Sequence, residues 1–250
     1  MIGFGLDLSG YTTNKTSLAA LVVSGSSAEA VLLRGSAFSD RRTTDMSVRD
    51  AVKAEAGVLK QCLDVGPVAV DIPIDLQNLL APDDAKAIWE LTHRPIDKKL
   101  RAMAPLADRI GAPVARFSAI MREGAFSDHL GNNLFEAYPA ENLRRLRFSG
   151  DYKAKGLERL NEKRTACERL CHHLGISSDC DNDDDLDAII CAMTALASKD
   201  ALVSPDELGL DLDRLPKGFR ILNRNPFTNI AVTEQDFSTW FTRLGAASPA

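Results

Sequence analysis

The sequence is poor in the features that assign a chain to a special class at sight. It has no excess of positive charge: 30 lysines and arginines stand against 35 aspartates and glutamates, a formal net charge of −5, and the isoelectric point lies near 5.4. A strongly basic coat for nucleic acid is therefore excluded, although a local basic groove is not. No apolar run approaches the roughly 20 residues that a membrane-spanning helix needs. Met1-Ile2-Gly3-Phe4-Gly5 enters a strand pattern at once, without a charged leader or cleavage site, so no secretory signal is expected. The five cysteines are an odd number and contain no Cys-x-x-Cys pair. Reduced thiols in a cytoplasmic protein are the economical reading. Internal repeats and low-complexity linkers are absent as well.

What remains is an ordinary globular composition, 45% hydrophobic and 26% charged over 250 residues, which excludes disordered and fibrous classes. The length fits one large domain, here taken as 1–250. Three short runs, Ile2 to Leu8, Ser17 to Val23 and Ala28 to Arg34, alternate with turn residues and read as an antiparallel meander. Ser47 to Leu63 reads as a helix, with Ser47 and Asp50 spaced as a cap and first-turn acid and Val48, Val52, Ala56 and Leu59 at helical spacing. Pro67 to Pro73 is a short apolar run closed by prolines, the pattern of a buried parallel strand. Residues 81–130 read as a helical insertion, Asn133 to Tyr138 as a strand, and 155–174 and 184–198 as helices. The tail, 219–250, holds a hairpin from Phe219 to Ala231 and a final helix in this reading. The order predicts an α/β fold, a mixed sheet flanked by helices.

The informative feature is where the acids fall. Asp7 lies at the first strand in Gly5-Leu6-Asp7-Leu8-Ser9-Gly10, Asp71 ends the Val68-Ala69-Val70 run, and Glu136 lies in Phe135-Glu136-Ala137-Tyr138-Pro139. Asp184 and Asp187 open a helix three residues apart, a spacing that puts both on one face. Strand interiors normally exclude carboxylates, because burying one unpaired is costly. Several that converge repel one another unless a cation lies among them. Oxygen donors of this kind suit the hard ions Mg²⁺ or Mn²⁺. Two such ions roughly 3.5–4 Å apart activate a water and stabilise a leaving oxygen in phosphodiester cleavage. The plainer alternative makes these acids turn and helix caps.

Other signals are weaker. Cys167-x-x-x-Cys171-His172-His173 with Cys180 lacks a zinc knuckle. Asp179 to Ile190 lacks the glycine and the bidentate acid of a calcium loop. Gly3-Phe4-Gly5 is not a dinucleotide fingerprint, and there is no Walker-type phosphate loop or Gly-x-Ser-x-Gly elbow.

Taken together, Asp7 in the first strand, Val-Ala-Val-Asp71-Ile-Pro, Glu136-Ala-Tyr-Pro and Asp184-Asp-Leu-Asp187-Ala resemble the RNase H-like nuclease family catalogued as domain of unknown function 429. Arg94-Pro-Ile-Asp97-Lys98-Lys-Leu-Arg101 looks like that family's Arg-x-x-Asp-Arg-x-x-Arg stretch, with Lys98 in place of one arginine, and Tyr152-Lys153 matches its Tyr-Lys pair. The resemblance spans roughly residues 2–200. It implies an RNase H-like mixed five-stranded sheet whose first three strands are antiparallel, flanked by helices and carrying the helical insertion. It also implies a metal-dependent nuclease acting on DNA or RNA. Asp7 would bridge two metal ions, Asp71 would hold one, Asp184 or Asp187 the other, and Glu136 would be a ligand or orient the water. The run Asp183-Asp184-Asp185 leaves the helical register open, and Asp75 is an alternative to Asp71. Arg94, Lys98, Arg101 and Lys153 are the expected phosphate-binding residues, the first three aligned on one helix face if Pro95 sits in its first turn. Two other functions remain open: a non-catalytic RNase H-like module that binds nucleic acid or a protein, and nucleotide-dependent phosphoryl transfer on an actin-like fold.

Overall fold

A computed structural model describes residues 1–10, 15–38, 46–77, 79–80, 85–148, 153 and 160–227. The chain begins with a strand meander: β1 (Ile2–Asp7) pairs antiparallel with β2 (Ser17–Ser24), and β2 pairs antiparallel with β3 (Ser27–Leu32). Helix α1 (Val48–Val65) follows; the Ser47 hydroxyl caps it by accepting from the Asp50 N–H at 3.2 Å. It leads into β4 (Val68–Val70), which lies parallel to β1, and β5 (Leu134–Ala137) lies parallel to β4. Between them come α2 (Pro95–Leu100) and α3 (Asp108–Glu123), flanked by 3₁₀ turns at Ile88–Thr92 and Phe126–His129. The stretch 81–130, expected to be helical, carries these two α-helices where it is described. Helices α4 (Pro139–Arg145), α5 (Leu160–His173), α6 (Asp183–Leu196) and α7 (Pro205–Leu208) complete the described helical part.

The sheet has seven strands, not five. Their order is β6-β3-β2-β1-β4-β5-β7, with β6 (Ile176–Ser178) added parallel to β3 at one edge and β7 (Phe219–Arg220) parallel to β5 at the other. Both edge strands are two or three residues long, too short to show an alternating pattern. Of the hairpin expected over Phe219 to Ala231, residues 228–231 lie outside the described residues. Arg220 pairs with Ala137, and Leu222 bridges Leu202. The final helix lies outside the described residues.

Period-2 alternation sends successive side chains to opposite faces. On one face Ile2, Phe4 and Leu6 pack with Val52 and Leu59 of α1 and with Phe117 and Ile120 of α3. On the other face Ala19, Leu21 and Val23 meet Cys167 and Leu170 of α5 and Leu186, Ile189 and Ile190 of α6. Between the faces, the glycines of β1 set the closest approach. A Cβ added at Gly5 would stand 1.8 Å from the Ala188 carbonyl oxygen, and one at Gly3 would stand 2.5 Å from Leu196 Cγ. Only glycine lets α6 lie directly on β1. Because Gly5 meets Ala188 while Gly3 meets Leu196, the helix runs against the strand. Its N-terminus therefore comes to the end of β1, where Asp7 is.

Candidate active site

Alternation also decides which acids meet. Asp7 follows Gly3 and Gly5 onto the α6 face. In the parallel register Leu6 stands opposite Val70, so the next residues, Asp7 and Asp71, are neighbours on that same face; adjacent strands lie about 4.8 Å apart. The Asp71 N–H donates to the Leu6 carbonyl at 2.9 Å, which carries the pairing one residue past β4. From α6, Asp184 and Asp187 point to the same place. All four aspartates and Lys153 line one cavity of about 740 Å³.

The register of the helical acids follows from the N-cap. The Asn182 side chain accepts from the Asp185 N–H at 3.0 Å and starts the helix. That turns Asp183 and Asp185 away from the cavity. Asp183 pairs with Lys163 at 3.0 Å. Asp185 accepts from the Ser17 hydroxyl at 2.6 Å and pairs with Arg34 at 2.9 Å. Asp75 is no substitute for Asp71: its carboxylate accepts the N–H groups of Gln77 and Lys217 at 3.0 and 2.8 Å, on the wall of a different cavity.

Electrostatically the four-aspartate cluster is short of positive charge. Asp7 is pushed well above the usual carboxylate range, first by burial and then by Asp71, Asp187 and Asp184, with Lys153 opposing. Asp71 is pushed up to about 8 by burial and by Asp187. Asp184 is pushed up to about 6 by burial and by Asp183. The ammonium of Lys153 lies 2.6 Å from Asp187 Oδ2; the carboxylate is 2% exposed and the lysine 50%.

Glu136 is brought to the same cavity but not to the cluster. It stands in register with Val70 and Leu6, one step out of phase with Asp7 and Asp71, and so faces the opposite side of the sheet. There it meets Arg94, whose guanidinium donates to its two oxygens at 2.6 and 2.8 Å. Arg94 also donates to both oxygens of Asp97, at 2.8 and 3.0 Å, and to the Asp75 carbonyl at 3.0 Å. Those bonds use all five donors of a guanidinium, and the side chain is 1% exposed. Burial by itself would lower the Arg94 pKa; Glu136 and Asp97 outweigh it and raise it. Burial raises the pKa of Glu136, opposed by Arg94 and by the Ile74 N–H.

The common helix face expected for Arg94, Lys98 and Arg101 is therefore not formed. The helix spans only Pro95–Leu100, with Pro95 in its first turn. Arg94 is its buried N-cap and Arg101 its left-handed C-cap, at φ 55°. Lys98 is bound to Glu90 at 2.7 Å. Of the expected phosphate-binding residues, Arg94, Arg101 and Lys153 line the cavity; Arg94 is buried with its donors used inside the protein, Arg101 is exposed and Lys153 half-exposed. Tyr152 lies outside the described residues.

Arg116, which the sequence pattern does not single out, is central to the wall. From α3 it donates to the Ser9 carbonyl at 2.6 Å and the Thr16 hydroxyl at 2.9 Å, and it pairs with Glu55 of α1 at 2.5 Å. It thus ties the turn after Asp7 to two helices. The available signal is a charge inside each apolar stripe: Arg116 between Pro113 and Ile120, and Glu55 between Val52 and Leu59.

The donor set suits a hard divalent cation, since it consists of carboxylate oxygens with no sulfur or nitrogen among them. Among the described residues no group of three acidic, thiol or imidazole side chains is already drawn together as a metal cage. The Cys167 and Cys180 thiols share the Asn182 carbonyl, each at 3.5 Å, inside the second core face. No described helix is long and apolar enough to cross a membrane.

The chain matches no protein-family model, so the resemblance to domain of unknown function 429 does not extend to a family match. No curated protein is similar to it in sequence. Among solved structures it is similar to RuvC of Thermus thermophilus, at 13% identity and a TM-score of 0.37, over 77% of this chain and 91% of that one.

Proposed function

We propose that this chain is an RNase H-like, metal-dependent phosphodiesterase that hydrolyses nucleic acid. The observation that carries the reading is the convergence of Asp7, Asp71, Asp184 and Asp187 in one cavity, where burial and mutual repulsion raise the pKa of Asp7 and Asp71. Buried like charges without matching cations are expensive, and such arrangements mark functional sites more often than structural ones. The central strand order β3-β2-β1-β4-β5, with the first three antiparallel and the rest parallel, supports the RNase H-like assignment.

In this reading Asp7, Asp71, Asp184 and Asp187 hold Mg²⁺ or Mn²⁺. A bound ion of this kind lowers the pKa of a water and neutralises charge on a phosphate. Asp7, flanked by Asp71 on one side and the α6 acids on the other, would be the central ligand of such a site. Lys153 is the counter-charge beside Asp187, and Arg101 meets the substrate backbone. Glu136 is reassigned from ligand to scaffold, because Arg94 occupies both its oxygens. Arg116 is a positioning residue for the Asp7 turn.

The test is cleavage of labelled single-stranded, duplex and branched DNA and of RNA, with Mg²⁺, Mn²⁺ or EDTA, by the protein and by Asp7→Asn. Cleavage that requires metal and is lost in the variant is expected. No cleavage on any substrate, together with no thermal shift by either metal, would leave a non-catalytic module as the better description.

A further inference from the structure

The acid-lined cavity continues past Arg101. A second cavity of about 450 Å³ opens beside it, walled by Lys99, Leu100, Arg101, Tyr138, Glu141 and Arg144. Leu100, Arg101 and Tyr138 belong to both walls. The two hollows are opposite in sign. The first is lined by six carboxylates against four bases, and two of the acids, Asp97 and Glu136, are already held by Arg94. The second carries Lys99, Arg101 and Arg144 against one acid, Glu141, which accepts from Arg144 at 2.7 Å and from Arg145 at 2.7 Å. Net positive charge beside a site built for a phosphodiester is the complement of the next phosphate along a chain.

Arg101 stands at the junction, and its backbone supports the assignment. At φ 55° it occupies the left-handed region, where glycine is free and a residue with a Cβ is strained. A helix C-cap in this conformation ordinarily takes glycine. The arginine side chain is kept there at a conformational cost and faces both hollows.

We propose that the basic hollow is a backbone-phosphate subsite that holds the phosphate adjacent to the one placed at the aspartates. The inference rests on the phosphodiesterase reading and narrows it: the substrate is a nucleic-acid strand presenting at least two successive phosphates, not a mononucleotide. Lys99 and Arg144 grip the second phosphate, and Arg101 spans the two.

The experiment measures binding of labelled thymidine and uridine oligonucleotides, from dinucleotide to octanucleotide, to full-length Asp7→Asn protein in EDTA. The same protein is compared with Lys99→Gln/Arg144→Gln or Arg101→Gly added. Affinity is expected to rise once a second phosphate is present, and the double substitution is expected to abolish that rise. The slope of log K against log salt should become shallower by about 0.7 for each single-strand phosphate that the protein no longer neutralises. Arg101→Gly should weaken binding while the thermal midpoint stays level or rises, opposite signs that a merely structural role would not give. An unchanged length dependence and salt slope in the double variant would overturn the subsite. Weakening on one polymer only would also overturn it, because the phosphate is common to both. Hydrolysis of bis(p-nitrophenyl) phosphate by the unsubstituted protein reports the aspartates separately. If that fails while the length dependence behaves as expected, the subsite stands and the phosphodiesterase reading falls.

Discussion

Two sets of charges lie one strand step apart at the same end of the sheet, and they are built on opposite principles. On one face Arg94 spends every guanidinium donor on Glu136, Asp97 and the Asp75 carbonyl. On the other, four aspartates share a cavity with Lys153, and Asp7 and Asp71 are pushed far from their ordinary titration range. The first set is closed, since each charge has met its partner inside the protein. The second is open, and in the proposed reading a divalent cation supplies the positive charge it lacks. A satisfied buried network fixes how elements dock, whereas an unsatisfied one is tolerated where a ligand completes it.

The sharpest way to break this contrast is to remove one carboxylate from the open set. Loss of a partner outside a metal's own ligands already costs about 10–100-fold in affinity or activity. Asp7→Asn is therefore expected to cost more than about 100-fold in metal-dependent cleavage, while urea unfolding in EDTA shows stability unchanged or higher, because a repelling charge has gone. Full cleavage in that variant would sink the assignment. In the closed set the signs reverse. Arg94→Ala leaves Glu136 and Asp97 buried without a counter-charge, a change that typically costs about 3–5 kcal/mol. Equilibrium unfolding should show a loss of that order, and a loss far smaller would mean that the two acids find another partner.

How much of this was legible in the sequence depends on scale. The meander, α1 and β4 could be read, because alternation over six to eight residues, a Ser47 cap and flanking prolines are local signals. The edge strands could not: Ile176–Ser178 and Phe219–Arg220 are set by what they lie against. In the site, the position of acids at element ends was readable, but the run Asp183-Asp184-Asp185 left the helical register open until the Asn182 cap fixed it, and only the partners of Asp75 set it apart from Asp71. The separation of Glu136 was implicit in the register, since Val70 pairs with both Leu6 and Glu136 while the clustering acids fall one residue later. That requires knowing which strands are neighbours, which no single stretch reveals. The close seating of α6 on β1 rests on Gly3 and Gly5, and a glycine pair in a strand does not say which helix it admits.

The open set should also announce itself in pH dependence. Asp71 is raised to about 8 and Asp184 to about 6, against about 3.9 for an aspartate in the unfolded chain. Between those values the folded protein holds protons that the unfolded chain has released, so stability falls as pH rises through the window. In EDTA the thermal midpoint should decline from about pH 4 to about pH 8, and Asp71→Asn should flatten the decline. Mg²⁺ or Mn²⁺ should oppose it by binding the ionised carboxylates of the folded state. A decline that survives in Asp71→Asn would place those protons on another group, Asp7 first.

The smallest expected effect separates two residues of one short helix that the sequence made equivalent. Lys98 is bound to Glu90 and does not line the acid cavity, whereas Arg101 does. Lys98→Ala should therefore lower the thermal midpoint slightly, less so in high salt, because Lys98 is partly exposed and Glu90 keeps the Lys86 N–H at 2.7 Å. Lys98 holds Glu90 below the usual carboxylate range, so this contribution is present above that range and disappears as pH falls through it. The salt slope for oligonucleotide binding should not change, because no phosphate partner is removed. A shallower slope in Lys98→Ala, equal to that of Arg101→Gly, would show that Lys98 leaves Glu90 for the substrate. The boundary between the closed and open sets would then run through Glu90 rather than along the sheet.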